Sequence, residues 1–489
     1  MISSEQTMKP LQSTVSAKAV TEPGRYPTYK AARVHWLGEI PAHWQEKRGK
    51  YFFREVDERS ATGEEELLSV SHTTGVTPRS QKNVTMFKAE SYVGHKVARP
   101  NDVVINTMWA WMSALGVSKN VGIVSPAYGV YRPINGDDFL PEFVGYLLRT
   151  PLLKWEYICR STGIRSSRLR LYPDKFLDIA FPCPPAAEQE RMVSFLRAKE
   201  VQIRRLIRNK RRLIGLLNEQ KQAIINQAVT RGLNPNAPMK PTGIDWMPEV
   251  PVHWEVKPLK HWLRESAKAL GDKTDPDYSF DYLDISCVGT GYLTAKPERL
   301  RFENAPSRAR QIVQKGDTLI STVRTYLKAV YFVEDEWPDL IASTGFAVLR
   351  PVSEIEPKLL GMILQSSTFI ERVIRSSIGV AYPAISETKL GTLHVAIPLD
   401  REEQNLLLNA VQDETGALNA AIEKAQSEIA LIGEYRERLI ADIVTGKLDV
   451  RHVDIVVPID EAEIDEAEEL DADDELTNDD MMEGADADD

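Results

Sequence analysis

Trp36-Leu37-Gly38-Glu39-Ile40-Pro41-Ala42-His43-Trp44 returns 210 residues later as Trp246-Met247-Pro248-Glu249-Val250-Pro251-Val252-His253-Trp254. Outward from this pair the copies continue. Arg99-Pro100-Asn101-Asp102-Val103-Val104-Ile105 is matched by Gln314-Lys315-Gly316-Asp317-Thr318-Leu319-Ile320, and Tyr131-Arg132-Pro133 by Leu349-Arg350-Pro351. Glu188-Gln189 and Val229-Thr230 are matched by Glu403-Gln404 and Val444-Thr445. An offset that drifts by only a few residues over a whole unit means duplication. The repeat is far longer than a solenoid repeat, so each copy is a domain with its connector.

Texture changes sharply within each copy. Residues 31–187 and 243–401 carry short β-rich runs such as Val103-Val104-Ile105 and Leu319-Ile320, broken by Gly, Pro and Asn, which is the pattern of mixed α/β globules. Residues 188–231 and 402–447 contain no proline and read as long helices. A 3-4 spacing picks out Val193, Leu196, Glu200, Ile203, Ile207, Lys210, Ile214, Leu217, Lys221, Ile224 and Ala228. Shifted by 215, it picks out Leu408, Val411, Thr415, Leu418, Ile422, Ala425, Ile429, Ile432, Arg436, Leu439 and Ile443. Two seams in one heptad register predict a coiled-coil pair, each helix about 60 Å long at 1.5 Å per residue. Duplication makes an antiparallel, pseudo-two-fold pairing the economical arrangement; the alternative is that each helix merely caps its own globule. The expected class is α+β, with two globules separated by two long antiparallel helices. Residues 1–30 read as a flexible arm, 232–242 as a linker, and 448–489 as an acidic tail expected to be disordered.

A chain of 489 residues predicts two or three domains. Its 43% hydrophobic and 27% charged content is that of a globular protein. No apolar run is long enough for a membrane span, and the polar first 20 residues lack a signal-peptide core, so no membrane is expected. Cys159, Cys183 and Cys287 lie far apart and suggest neither zinc site nor disulfide framework, which fits the cytoplasm. The net charge of −11 misleads: 17 of the 71 acidic residues lie between Asp460 and Asp489, and the other 54 are outnumbered by 60 Lys and Arg. A mildly basic body is compatible with nucleic acid. The segment 188–231 is basic as well, with 11 Lys or Arg against four Glu. That is a solvated face, a DNA-backbone contact or a docking surface.

The order globule, helix, globule, helix resembles the specificity subunit of type I restriction-modification systems. Gly38-Glu39-Ile40-Pro41 with His43-Trp44 is similar to the opening of that family's target-recognition domain. Phe181-Pro182-Cys183-Pro184-Pro185 followed by Glu188-Gln189 is similar to its exit, with Ile397-Pro398 and Glu402-Glu403-Gln404 as the second copy. Met108-Trp109-Ala110-Trp111-Met112 also looks like a sequence common in such domains. The resemblance covers residues 31–447. It implies a sequence-specific binder of double-stranded DNA that reads a split asymmetric target, one half per domain. It also implies docking of adenine-methylating modification subunits and motor-nuclease restriction subunits, which carry the chemistry. No phosphate-binding loop, Gly-rich nucleotide turn or methylase motif stands in the sequence, so no cofactor, metal or catalytic residue is assigned. The alternatives are a coiled-coil scaffold without DNA binding and a stand-alone nuclease or methylase with an unrecognised motif.

Candidate base and phosphate contacts are loop residues with forked or hydroxyl donors. The window Ser161–Arg170 offers Arg165, Ser166, Ser167, Arg168 and Arg170; its counterpart, from Arg375 to Tyr382, keeps the Gly turn and loses most of the charge. Positions just after the Asp102 and Asp317 strands give Asn106 and Trp109 against Ser321 and Arg324. Arg308 and Arg310, with Arg299 and Arg301, add a basic stretch. His43, Trp44, His253 and Trp254 recur in both copies and read as packing residues.

Overall fold

The computed structural model describes residues 22–81, 91–136, 138–163, 169–264, 268–379 and 382–455. The chain divides into two units: Met1–Lys210 with Ser427–Asp489, and Arg211–Gln426. Each unit therefore combines one globule with the near half of one long helix and the far half of the other.

In unit 1 the strands Phe53–Glu55, Gly129–Pro133, Val103–Ile105 and Leu115–Val117 form an antiparallel sheet in that order. A hairpin, Leu68–Ser71 with Gly75–Pro78, and the pair Lys96–Ala98 with Gly122–Val124 flank it. Helices α1 (Pro141–Leu148), α2 (Pro151–Arg160) and α3 (Pro173–Leu177) each start on a proline, whose fixed φ suits a first helical position and which lacks only an N–H that would go unpaired there. The long helix α4 (Ala186–Arg231) follows. Unit 2 repeats the central sheet as Val330–Phe332, Thr318–Ser321 and Phe346–Leu349. It adds a four-stranded sheet in which Ser279–Leu283 runs parallel to Leu340–Ser343. Its helices are α5 (Pro357–Leu364), α6 (Ser367–Ser376) and α7 (Glu387–Gly391), before the second long helix, α8 (Arg401–Val444).

The entry and exit motifs of each copy meet. Gln45–Arg48 pairs antiparallel with Ala180–Cys183, and Glu255–Pro258 with His394–Ile397. The Glu-Gln dipeptide at each helix start fastens this closure. Glu188 accepts from Trp44 Nε1 (3.0 Å) and lies 2.6 Å from His43 Nε2; Glu403 accepts from Trp254 Nε1 (2.8 Å) and lies 2.9 Å from His253 Nε2. Gln189 accepts from the Leu140 amide (2.8 Å) and donates to the carbonyls of Asp138 (3.1 Å) and Pro184 (2.9 Å). Gln404 does the same with Glu356, Glu354 and Pro398. Both amides are buried, and these bonds satisfy their polar atoms.

The helix seams are as expected: every one of their 22 positions is buried or half-buried. Within unit 1, Arg436 of α8 meets Glu200 of α4 at 2.7 Å and Glu428 pairs with Lys210, so the two helices run antiparallel there. Met192, Val193 and Leu196 of α4 share the unit 1 core with Leu439, Ile443 and Val444 of α8. In unit 2, Ile225, Ala228 and Val229 of α4 join Leu407 and Val411 of α8.

Three expected boundaries shift. Residues 22–30, assigned to a flexible arm, belong to unit 1. Tyr26 is buried beside Trp44, its hydroxyl 3.3 Å from Glu188, and burial, then the Glu188 charge, push its pKa far up. The head of the supposed tail is packed too: Val450 and Val453 are buried, and the Gly24 and Asp449 backbones exchange hydrogen bonds of 3.2 and 2.8 Å. The linker 232–242 contains the start of the strand Met239–Ile244, which pairs with Met247–Pro251. After the long helices, Gly232 and Gly446 sit at φ +71° and +80°. A Cβ on Gly446 would lie 2.4 Å from Pro41 and 2.9 Å from the Trp44 ring.

Candidate nucleic-acid interface

The strand motifs that recur in the sequence build one frame twice. Asp102 and Asp317 are 1% and 0% exposed. Arg132 forks onto Asp102 through Nε and Nη2, both at 2.9 Å, and Arg350 onto Asp317, both at 2.7 Å. The same carboxylates accept the amides of Arg99 (2.9 Å) and Gln314 (2.8 Å). In each unit the bonds to the carboxylate raise the guanidinium pKa further above its ordinary value. Each carboxylate thus ties the turn before its strand to the neighbouring strand, as a buried charge requires.

That frame projects a hairpin loop whose geometry is shared. Asn106 and Ser321 donate their amides to the carbonyls of Ala114 (3.0 Å) and Ala329 (2.9 Å). Each loop turns through a short 3-10 segment, Ala110–Met112 or Thr325–Leu327, and leaves it on a left-handed residue, Ser113 (φ 68°) or Lys328 (φ 54°). A second loop is laced to the first in both units. In unit 1, Thr162 and Arg170 exchange backbone bonds of 3.0 Å and Leu171 donates to Thr107 (3.0 Å). In unit 2, Ile378 and Ala384 exchange bonds of 2.8 and 2.9 Å and Ile385 donates to Thr322 (2.8 Å). The described parts of two windows singled out separately in the sequence are therefore bonded side by side in each unit.

The side chains on this common backbone differ. In unit 1, Arg170 is exposed, with Nη2 4.0 Å from Met108 Sδ, and Trp109 is half-buried. In unit 2, exposed Arg324, left-handed at φ 51°, lays its guanidinium 5.3 Å over the Tyr382 ring. Arg375 is exposed and 3.9 Å from Glu371. Other candidates turn inward. Asn106 is buried, donating to Tyr128 Oη (3.1 Å) and accepting from the Met108 amide (3.2 Å). Ser321 is buried and donates to the Val323 carbonyl. Both brace the loop from below. Arg165, Ser166, Ser167 and Arg168 lie outside the described residues.

The basic stretch of unit 2 is largely neutralised by its neighbours. Arg299 pairs with Asp281 (3.3 Å), Arg301 with Asp277 (3.4 Å), and Arg308 with Asp284 (3.2 Å), while Arg310 stacks 4.7 Å over Phe302. The Tyr282 hydroxyl, and then the Asp284 charge, raise the Arg308 pKa. Burial disfavours the Asp284 carboxylate, yet the Ser286 amide and Arg308 hold its pKa below the ordinary value. Sequence reasoning passed over Tyr326, Leu327 and Lys328, which are exposed on the first unit 2 loop, and within the Arg375–Tyr382 window it did not single out the exposed Ile378. Alignment of Lys328 with Ser113 at the shared offset was the available signal for that loop. Among the described residues, no His, Cys, Asp and Glu group suits a metal ion, and no helix is long and apolar enough to cross a membrane.

No family model matches the sequence. The chain is 29% identical over 133 residues to the type I restriction enzyme HindI specificity subunit of Haemophilus influenzae, a match that covers 26% of this chain and 29% of that relative's length. Among solved structures, it superposes with TM-score 0.53 and 18% identity on a chain from work on complex assembly and conformational transition of the type I restriction-modification system. That superposition covers 84% of this chain and 99% of the other. The HsdS subunit of Thermoanaerobacter tengcongensis is 19% identical over 84% of this chain and 98% of its own, with TM-score 0.38. The likeness in sequence to a type I specificity subunit lies in that 133-residue stretch, and the likeness in fold is to a chain of the type I restriction-modification system.

Proposed function

We propose that this chain is the DNA-reading specificity subunit of a type I restriction-modification complex, with each unit reading one half of a split, asymmetric target. The observation that carries the reading is the twofold construction of the candidate surface. One Asp–Arg frame and one pair of laced loops recur in both units, while the side chains on them differ: exposed Arg170 and half-buried Trp109 in one, exposed Arg324, Arg375 and Tyr382 in the other. A shared backbone with divergent loop chemistry is what two readers of different base sequences need, since phosphate contacts position and base contacts specify. By their chemistry Arg165, Ser166, Ser167 and Arg168 are proposed as base or phosphate contacts of the first half, and Arg308 and Arg310 as supporting residues in unit 2.

On this reading the chain is not an enzyme by itself. It docks adenine-methylating modification subunits and motor-nuclease restriction subunits, takes no cofactor, and works in the cytoplasm. The test is a domain exchange in the reconstituted methylating complex. Replacing residues 31–187 by the equivalent domain of a relative should change one half of the methylated motif and leave the other as it was. Sequencing of methylated DNA reads the result directly. An active exchanged complex with both halves altered, or a wild-type complex whose DNA binding shows no sequence dependence, overturns the assignment.

A further inference from the structure

The loop pair of unit 2 carries an apolar crest that hydrogen-bonded base reading does not use. Ile378 is 85% exposed and Tyr382 66%, and Tyr326 and Leu327 stand exposed on the neighbouring loop. A single exposed aliphatic side chain is ordinary. This one stands apart for two reasons. First, its backbone is pinned. Besides the paired bonds between Ile378 and Ala384, the Thr325 amide donates to Pro383 (3.3 Å) and Thr325 Oγ1 lies 2.9 Å from Ser377 Oγ. The loop base is thus fixed with Ile378 pointing into solvent. Second, the crest is fringed by cations: Arg324 over Tyr382, Lys328 in its left-handed turn, and Arg375 at the end of α6.

Building on the proposed function, we infer that unit 2 opens one base-pair step of its half-site by inserting Ile378. The cationic fringe holds the phosphate backbones while the Ile378 side chain enters the stack. An isoleucine side chain has no donor or acceptor for a base edge or a phosphate, so its favourable partners in a duplex are a thymine methyl group and the apolar face of a base, and only the second opens a step. Aliphatic wedges of this kind partially unstack and kink DNA. Pyrimidine–purine steps open most easily, so the half-site read by unit 2 should contain one where the wedge enters, and part of its specificity comes from that step's deformability.

The experiment uses the complex with its modification subunits and the duplex target identified by sequencing methylated DNA. 2-Aminopurine or pyrrolocytosine replaces one base at a time in the half-site read by unit 2, leaving the methylated adenines untouched. The wild-type complex should raise the fluorescence severalfold at one step. Ile378→Ala and Ile378→Ser should return it to the level of free duplex, while Ile378→Leu keeps it. Tight, sequence-specific binding with no brightened position, or brightening that survives Ile378→Ala, overturns the wedge and leaves the reader role intact. Failure of the wild-type complex to bind in a sequence-dependent way removes both.

Discussion

The Asp–Arg pairs set the geometry of both loop surfaces from positions that touch no candidate ligand. Removing a buried carboxylate that is forked by arginine and also accepts a backbone amide leaves both without their acceptor; where no other carboxylate among the described residues reaches the arginine, as at Arg350, the cost is about 3–5 kcal/mol. Asp317→Ala should therefore clearly lower the unfolding midpoint of the whole chain in urea, and Asp102→Ala should do so by less, because Glu58 still pairs with Arg132 (3.3 Å). Asp277→Ala, which removes an exposed partner of the exposed Arg301, should cost less than about 1 kcal/mol. Equal small effects at all three positions would deny the pairs this framing role. The sequence displayed Asp102, Arg132, Asp317 and Arg350 as recurring letters, but nothing local said that each Asp meets its Arg, since strand pairing is a long-range event. For the same reason Asn106 looked like a base reader: an amide just after a strand is equally suited to a base edge and to bracing the loop through Tyr128.

At the level of elements, the long helices were legible because their signal is periodic. A 3-4 seam accumulates evidence over eleven positions in each of two copies, and the burial follows it. The polar members of the seam were visible too, though not their roles. Glu200 and Arg436 form a cross-helix pair, with Tyr146 donating to the same carboxylate (2.7 Å), and pairs of this kind fix helix register. Lys221 is different: burial lowers its amine pKa, so the folded state disfavours the charge. With the folded pKa depressed, this penalty is fully present below the folded pKa and is relieved as pH rises through it towards the unfolded value of about 10.4. Lys221→Met should remove the penalty while keeping an unbranched side chain in the seam. The expected result is a gain of up to about 1 kcal/mol at pH 7 that shrinks towards pH 10, read by thermal unfolding at the two pH values. A loss of stability at pH 7 would show the amine to be a needed member of the seam.

Across the whole molecule, the boundaries least visible in the sequence were those of the chain ends. The stretch around Tyr26 has Pro and Gly but no periodic pattern, so it read as an arm. Its anchors are Glu188, Asp449 and Arg451, far away along the chain, with the Arg451 guanidinium 4.8 Å over the Tyr26 ring. Residues 448–455 were hidden in the same way, next to a tail whose acidity dominates its composition. That tail concentrates the chain's negative charge: 17 carboxylates and no Lys or Arg between Asp460 and Asp489, against a body with a basic excess. If the body binds DNA as proposed, these carboxylates oppose the phosphates and compete with them for basic surface such as the face of α4. Removing residues 460–489 should then tighten binding to non-specific duplex at low salt while leaving the methylated motif unchanged. The gain should fade as salt rises, because the Debye length falls from about 30 Å at 0.01 M to about 10 Å at 0.1 M and about 3 Å at 1 M. Titrating a non-specific duplex with full-length and truncated chains across that range measures the difference directly. Equal affinities at the lowest salt would show that the tail exerts no electrostatic control over DNA binding, and a difference that persists undiminished at 1 M would assign the effect to something other than charge.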